Sequence, residues 1–263
     1  MKKTIISCVL FLTAVTAFSQ TPMKTAAEAK LSASDLAVKI ADRILATTTY
    51  EFKNTKTGKT YKSVKNLPLD MNVKVACKYN NWHYTNGVTH IALMELADKT
   101  GAKKYDDYVL KNMNFVFNEG NLDFFKKQYD QAMKNEGWYG VRKLSWHMIF
   151  RGKRLDDNGP MGASLIDLQM KHPNNSFLNY INETAEHLNY GEPRLADGTI
   201  ARIWPHENTI WADDAFMAIS FLARMAKMTG DMSYINDAAN QVIKYHKYLW
   251  CPEKRILYHC YHT

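Results

Sequence analysis

The segments Leu96-Ala-Asp-Lys-Thr-Gly-Ala-Lys-Lys-Tyr105 and Met225-Ala-Lys-Met-Thr-Gly-Asp-Met-Ser-Tyr234 are two copies of one pattern. Each copy ends an apolar helix, turns at a glycine and opens the next helix near an aromatic residue. Glycine adopts the left-handed turn conformation that other residues resist. A looser third copy, Leu168-Gln-Met-Lys-His-Pro-Asn-Asn-Ser-Phe177, lies between them. Helical hairpins that recur every ~60 residues are typical of an α-solenoid or of a closed ring of hairpins.

The rest of the chain agrees with an all-α fold. Only 12 Gly and 7 Pro interrupt 263 residues, and no alternating pattern is long enough for a central sheet. In a closed ring the connecting loops meet at one mouth, where a functional site would form. We expect loops or short strands at 50–75 and 190–210. Apolar periodicity predicts helices near 33–48, 84–100, 103–118, 121–134, 160–171, 175–189, 212–229 and 232–249.

The first residues have the form of an export signal. Lys2 and Lys3 precede a short apolar run, and Ala17-Phe-Ser19 supplies the small residues that a signal peptidase requires. We therefore predict a signal peptide at residues 1–19, a single domain over 20–263, and a periplasmic or secreted protein. No later segment has ~18 consecutive apolar residues, so we expect no membrane span after cleavage.

The balance of charge indicates an anionic partner. The formal net charge is +8, and export argues against nucleic acid as that partner. An acidic oligosaccharide is consistent with both facts, although a solvated basic face without a function would explain the charge equally well. The spacing of Cys and His matches no zinc motif, so we predict no metal and no cofactor. The sequence does not indicate an oligomeric state.

Three segments place aromatic or acidic residues at predicted helix starts. Trp82-His-Tyr-Thr-Asn-Gly-Val88 offers two aromatic rings, either for stacking on a sugar or for the core. Arg154-Leu-Asp-Asp-Asn-Gly-Pro-Met-Gly162 places two aspartates just before a helix that we expect to begin at Pro160. Trp211-Ala-Asp-Asp-Ala-Phe-Met217 repeats this arrangement. Helix capping explains one aspartate of each pair well and two less well.

The two aspartate pairs suggest acid–base chemistry. If their hairpins are equivalent in a ring, both pairs face the same mouth. Two neighbouring carboxylates resist joint ionisation, so one keeps a proton while the other stays ionised. An Asp-Asp-x-x-Asp magnesium motif is excluded, because Met217 and Pro160 stand where its third aspartate is needed.

With these residues identified, the chain resembles glycoside hydrolase families 88 and 105, most closely the unsaturated rhamnogalacturonyl hydrolases. The resemblance runs through most of the predicted mature chain. It implies an (α/α)6 barrel of six hairpins that removes an unsaturated uronic acid from oligosaccharides left by polysaccharide lyases. The motifs that carry it are Trp82-x-Tyr84-x-x-Gly87-Val88, Arg154-Leu-Asp-Asp-x-Gly159, Trp211-x-Asp-Asp-x-Phe-Met217, Leu222-Ala223, Thr229-Gly-Asp231 and Leu257-Tyr-His259.

The resemblance also implies roles for individual residues. Asp213, two positions after Trp211, is similar to the acid/base residue of these families. Asp157 is similar to their second catalytic carboxylate, with Asp156 as the less favoured register. The implied chemistry protonates the C4=C5 double bond of the uronate, adds water at C5 and lets the resulting hemiketal open. The implied substrate contacts are Trp82, Tyr84, Asp156, Arg202, Trp211 and His259.

The chain departs from the family pattern at its last residues. The pattern continues after Leu-Tyr-x-His with Trp-x-Arg-x-x-Gly-Trp, whose arginine helps to hold the substrate carboxylate, whereas this sequence stops at Thr263. At ~60 residues per hairpin, the predicted mature length gives about four hairpins, so we expect a barrel that lacks its C-terminal part. The first hypothesis is an unsaturated uronyl hydrolase, and the alternative is an inactive or carbohydrate-binding remnant of one. The acid pairs disfavour an unrelated helical scaffold for protein binding.

Overall fold

The computed structural model describes residues 32–117, 120–152 and 154–262. The predicted signal peptide lies outside these residues. The chain divides into two compact units, residues 1–43 and 44–263, and the predicted single domain over 20–263 stays a prediction. Within the described ranges, no helix is both long and apolar enough to cross a membrane.

Helix dominates the described residues, as the sequence predicts. Five predicted helices, 33–48, 84–100, 103–118, 212–229 and 232–249, agree with the observed bounds to within one residue at each end. The all-α class is therefore confirmed. The described helices are α1 Ala33–Thr47, α2 Tyr84–Thr100, α3 Lys104–Phe117, α4 Asn121–Val141, α5 Met148–Arg151, α6 Leu155–Lys171, α7 Asn175–Glu186, α8 Ala212–Thr229 and α9 Met232–Leu249.

The strands are short and lie mainly in the two segments predicted to be irregular. β1 Phe52–Asn54 pairs antiparallel with both β2 Thr60–Tyr61 and β3 Val73–Val75. Two further antiparallel pairs join β4 Thr209–Trp211 to β7 Cys260–His262, and β5 Trp250–Cys251 to β6 Ile256–Leu257. The β4–β7 pair lies at the start of α8, because β4 runs directly into that helix.

The repeated sequence pattern forms the turns of helical hairpins. Gly101 adopts φ 70° and donates its N–H to the Ala97 carbonyl at 2.8 Å, which ends α2 before α3 begins. Gly230 adopts φ 75° and closes α8 in the same way, through the Ala226 carbonyl at 2.9 Å. The third copy lacks the glycine, and α7 instead starts at Asn174, whose side chain accepts from the Ser176 N–H. The predicted hairpins α2–α3, α6–α7 and α8–α9 are thus confirmed.

Three helices form an inner layer in which backbones approach closely. α6 packs between α2 and α8, and α3, α7 and α9 pack behind them as the second members of the hairpins. A Cβ on Gly87 of α2 would lie 2.3 Å from the Pro160 carbonyl carbon of α6. A Cβ on Gly159 of α6 would lie 2.3 Å from the Met217 carbonyl oxygen of α8. Glycine is therefore required sterically at both crossings.

Helix α6 begins five residues earlier than the sequence prediction. Arg154 is extended, with φ −142° and ψ 147°, and its carbonyl accepts from the Asp157 and Asn158 N–H groups at 2.9 and 3.2 Å. Asp156 and Asp157 consequently lie in the first helical turn, and Pro160 lies inside the helix. The prediction that α6 starts at Pro160 was wrong. Proline favours a first helical position. Pro160 is instead the sixth residue of α6, where it has no N–H to donate to the Asp156 carbonyl one turn earlier.

Two other helices also end away from their predicted bounds. α4 continues from the predicted 134 to Val141, although Gly137 interrupts it with φ 59° and ψ −150°. α7 stops at Glu186 and passes into a π-helical turn, His187–Gly191. This turn carries the chain toward Glu192, which lines the cleft described below.

We expect Gly159→Ala to destabilise the protein by at least about 2 kcal/mol, as overpacking does. The clash with the Met217 carbonyl must also outweigh the ~1 kcal/mol that alanine normally gains over glycine inside a helix. The free energy of unfolding in urea measures this loss.

Gly230→Ala is the matched control, because its Cβ would meet open space and only the positive φ opposes it. Its expected cost is about 1 kcal/mol. A loss at Gly159 no larger than the loss at Gly230 would contradict the proposed steric constraint.

Candidate active site

Arg202 lies at the centre of a cluster of three aspartates. Its guanidinium donates to both carboxylate oxygens of Asp214, from Nε at 2.6 Å and from Nη2 at 2.7 Å. Nη2 is also 3.5 Å from Asp156 and 3.6 Å from Asp213. Each of the three aspartates contributes an oxygen within 4.8 Å of the others. A single guanidinium therefore lies within ion-pair distance of three carboxylates.

The helix crossing at Gly159 explains why these aspartates meet. Asp156 lies one turn before Gly159 in α6, and Asp213 and Asp214 lie one turn before Met217 in α8. Because Gly159 touches the Met217 carbonyl, the first turns of both helices come together. The prediction that residues of both acid pairs meet is confirmed for these three.

The loop before α8 supplies the arginine. The Arg202 N–H donates to the Thr209 carbonyl at 2.7 Å, so the chain closes a loop from 202 to 209 immediately before β4. The guanidinium also lies over the Trp211 ring, with its central carbon 4.3 Å from the ring centre. Backbone pairing and the aromatic face together fix Arg202 beside the carboxylates.

Burial and charge oppose each other in this cluster. Burial raises the pKa of Asp214 to about 6, although the hydrogen bonds and charge of Arg202 act in the opposite direction. Burial likewise acts against the charge of Arg202, but its hydrogen bonds to Asp214 and the negative charges around it raise its pKa above the usual arginine value. Arg202 thus stays positive wherever the aspartates are ionised.

The three carboxylates also have the donor atoms that a divalent cation prefers. The guanidinium of Arg202 already stands among them and donates two hydrogen bonds to Asp214. A cation would have to displace this charge. The geometry therefore favours an arginine-neutralised acid cluster as the description of this site.

A cleft of about 280 Å³ opens beside the cluster. Asp156, Arg202 and Asp214 form part of its wall, so the acids border a space that a small ligand can enter. Asp213 stands next to this wall with its side chain 43% exposed. The remaining lining residues are Arg151, Arg154, Leu155, Glu192, Pro193, Ile203 and Trp204.

Asp157 and Asp156 have different surroundings in the structure. Asp157 is fully buried, and both of its carboxylate oxygens accept from the guanidinium of Arg151. Burial raises the pKa of Asp157, and Arg151 offsets part of that effect. Asp156, at the preceding position of the same turn, lies beside Arg202 instead. The sequence could not resolve this, because the helix start sets which aspartate points inward.

Trp82 lies in the core, contrary to its predicted role in substrate binding. Its side chain is 0% exposed and its indole N–H donates to the Asp157 carbonyl at 2.7 Å. The Tyr180 ring packs against it at 4.7 Å. Trp82 therefore fixes the first turn of α6 and does not reach a ligand. Tyr84 opens α2, is 36% exposed and lies beside the His83 ring at 4.5 Å, outside the residues that line the cleft.

Trp211 and His259 lie together at the start of α8. Their ring centres are 5.0 Å apart, and the Ala212 N–H donates to the His259 carbonyl at 2.8 Å. β7 follows His259 and pairs with β4, which places the histidine beside the tryptophan. The Trp211 ring supports Arg202, and His259 packs against that ring. The predicted contact of both residues with substrate stays a prediction.

Arg154 and Trp204 are two of the eight cleft-lining residues that were not among the predicted site residues. Arg154 stood in a quoted motif only as a neighbour of the aspartates, and Trp204 was not singled out. Trp204 is 59% exposed, and the Arg154 guanidinium lies over its ring at 4.7 Å. A tryptophan beside proline in a segment predicted as a loop was the signal that could have identified it.

The protein is thus built of helical hairpins whose inner helices carry acids in their first turns beside a cleft. The sequence from residue 56 to 263 matches the family model Glycosyl Hydrolase Family 88. The chain belongs to that family. The sequence matches none of the curated proteins compared with it.

Solved structures show the same fold. A protein of Klebsiella pneumoniae described as a possible member of glycoside hydrolase family 105 superposes with a TM-score of 0.54 at 13% identity, over 89% of this chain and 52% of its own. A similarly described Salmonella enterica protein gives 0.54 at 15%, over 88% and 52%. A family 105 glycoside hydrolase of C. acetobutylicum gives 0.50 at 22%, over 75% and 46%. The chain thus spans about half the length of these structures.

We expect Arg202→Gln to lose stability progressively as the pH rises from 4 to 7. Without the guanidinium, the clustered carboxylates hold protons more strongly in the folded state than in the unfolded state. Such groups stabilise at low pH, and this contribution is lost as the pH rises through their folded-state pKa. At pH 7 the expected loss is about 3 kcal/mol, as for other broken buried ion pairs.

Arg194→Gln is the matched control. Arg194 donates to both oxygens of Asp237 at 3.0 and 2.8 Å, and the pKa of Asp237 is below its usual value. In this variant a single carboxylate loses its guanidinium and still accepts from Gln241 at 2.9 Å, so the loss should depend less on pH than in Arg202→Gln. Urea unfolding of both variants between pH 4 and 7 tests this, and equal pH dependence in the two would refute the shared role of Arg202.

Proposed function

We propose that this protein removes an unsaturated uronic acid from the non-reducing end of oligosaccharides that polysaccharide lyases release from pectin or rhamnogalacturonan. Family membership supports glycoside hydrolysis. The single observation that carries the proposal further is the Asp156–Arg202–Asp213 cluster at the edge of an arginine-lined cleft. An acid, a base and a positively charged surround are what hydration of an anionic vinyl ether requires.

The proposed reaction moves two protons through the two aspartates. Protonated Asp213 donates its proton to C4, and the C4=C5 π-electrons form the new C–H bond. Water adds to the cationic C5, and Asp156 accepts the proton that this water loses. The hemiketal then opens to release the sugar, and proton exchange with solvent restores both aspartates.

Asp213 has a favourable environment for the acid role. Its Oδ1 is buried and has no hydrogen-bond partner among the described residues, while Oδ2 is 3.6 Å from Arg202. A proton on Oδ1 would therefore break no existing hydrogen bond. Asp156 is the more suitable base, since Asp157 is engaged by Arg151 and lies away from the cleft.

Arg202 has a separate role in this proposal. Its charge stabilises the carboxylate forms of Asp156 and Asp213 as each one gains and loses a proton. Because the guanidinium is held by Asp214 and by the Trp211 ring, it need not move during the reaction. Such preorganised charge costs no reorganisation when the reaction occurs.

We further propose that the protein is exported and acts in the periplasm or outside the cell on an acidic oligosaccharide. The basic n-region, apolar run and small residues of 1–19 support export. The arginines of the cleft support an anionic substrate.

The test measures the loss of vinyl-ether absorbance from a lyase-generated unsaturated digalacturonate. Asp213→Asn and Asp156→Asn should each lower kcat by about 10²- to 10⁴-fold, the usual contribution of one acid or base. Asp98→Asn is the matched control and should stay within about twofold of the starting protein, because Asp98 is an exposed residue of α2 that pairs with Lys171.

The outcome separates the proposal from its alternative. A folded protein that binds the disaccharide without consuming it would support a carbohydrate-binding remnant. Turnover that survives Asp213→Asn would refute the assignment of the acid.

A further inference from the structure

Arg154 differs from the other two arginines of the cleft in having no anionic partner. Arg151 donates to both oxygens of Asp157, and Arg202 donates to both oxygens of Asp214. In the described part of the chain, the Arg154 guanidinium forms no hydrogen bond and no ion pair within 4 Å, and its partner is the Trp204 ring. Its N–H donors therefore remain available at the cleft wall.

The surroundings of Arg154 favour the arrival of an anion. Burial and the neighbouring guanidinium of Arg151 lower its pKa, and the charge of Arg202 acts in the same direction, although Asp157 and Asp156 offset part of these effects. A partly buried cation among other cations is electrostatically unfavourable until a negative charge binds. Since Arg151 and Arg202 already have carboxylates, a ligand carboxylate is most strongly attracted to Arg154.

Trp204 gives this position a second property. It is 59% exposed at the cleft, and its ring lies 4.7 Å from the central carbon of the Arg154 guanidinium. Contact with an aromatic face restricts the orientation of a guanidinium and does not use its N–H donors. An exposed indole also offers apolar surface to the C–H groups of a sugar ring. Together the two side chains match a sugar that carries a carboxylate.

We infer that Arg154, oriented by Trp204, binds the carboxylate of the terminal uronate. The identity of that sugar rests on the function proposed above. The carboxylate is attached to C5, the carbon to which water adds. Arg154 lines the same cleft as Asp156 and Arg202. An arginine that binds the carboxylate there would therefore hold the double bond close to the aspartates. In this inference, the guanidinium that binds the substrate carboxylate belongs to Arg154.

The backbone role of Arg154 does not interfere with a test of its side chain. Arg154 is the residue before α6, and its side chain makes no capping hydrogen bond. Arg154→Gln should therefore keep the helix start, which near-ultraviolet circular dichroism and thermal unfolding can verify. Arg154→Lys retains the charge but loses the two-pronged geometry. Arg255→Gln is the matched control, because Arg255 is exposed and lies outside the cleft residues.

The first experiment compares binding of saturated digalacturonate with binding of its dimethyl ester by calorimetry. Digalacturonate has no C4=C5 double bond and is not consumed, and in the ester each carboxylate is replaced by a neutral methyl ester. The starting protein and Arg255→Gln should prefer the acid. Arg154→Gln should weaken binding of the acid by about 10- to 100-fold, as expected for a lost charged hydrogen-bonding pair. Binding of the ester should not change, and Arg154→Lys should be intermediate.

The second experiment measures kinetics on unsaturated digalacturonate. Arg154→Gln should raise KM by a similar factor, whereas a residue with only a structural role would change binding of acid and ester alike. Preference for the acid that persists in Arg154→Gln, or binding of neither ligand by the starting protein, would overturn the inference. Preference that depends on Arg154 in a protein without turnover would support the clamp and refute the proposed hydrolysis.

Discussion

The contact between Gly159 and the Met217 carbonyl is the constraint on which the site depends. A Cβ at position 159 would lie 2.3 Å from that oxygen, so α6 and α8 meet backbone to backbone. The first turns of the two helices are therefore also close together. A carboxylate oxygen of Asp156 lies within 4.8 Å of one from each of the two aspartates of α8. Gly87 makes an equivalent contact between α2 and α6. The position of the acid cluster therefore depends on two glycines, Gly87 and Gly159, that have no side chain to separate the helices.

Close packing of acids creates an electrostatic cost that Arg202 offsets. The same guanidinium touches Asp214 directly and lies within 3.6 Å of Asp156 and Asp213. Asp214 is buried and holds the arginine, whereas the other two carboxylates remain partly exposed. The adjacent residues Asp213 and Asp214 thus differ in burial and in their contact with Arg202, a difference that the sequence does not reveal.

The sequence predicted the helices and hairpins well because they depend on local patterns. The turns at Gly101 and Gly230 need a left-handed residue at one position, and glycine identifies it directly. The site was less accessible because orientation depends on packing. The start of α6 at Leu155 places Asp156 and Asp157 in a helical turn, and the buried Trp82 donates its indole N–H to the Asp157 carbonyl from a distant part of the chain. Neither fact is encoded within a few neighbouring residues.

The pairing of β4 with β7 has a consequence for how the site assembles. Trp211 pairs with Cys260, and the Ala212 N–H reaches the His259 carbonyl, so the entrance to α8 is bound to residues almost fifty positions later. The hairpin α8–α9 must close that loop before the strands can meet, and closure of long loops carries an entropic cost that only later contacts repay. The position of the α8 entrance therefore depends on pairing with residues distant in the sequence, at the entropic cost of closing the loop between them.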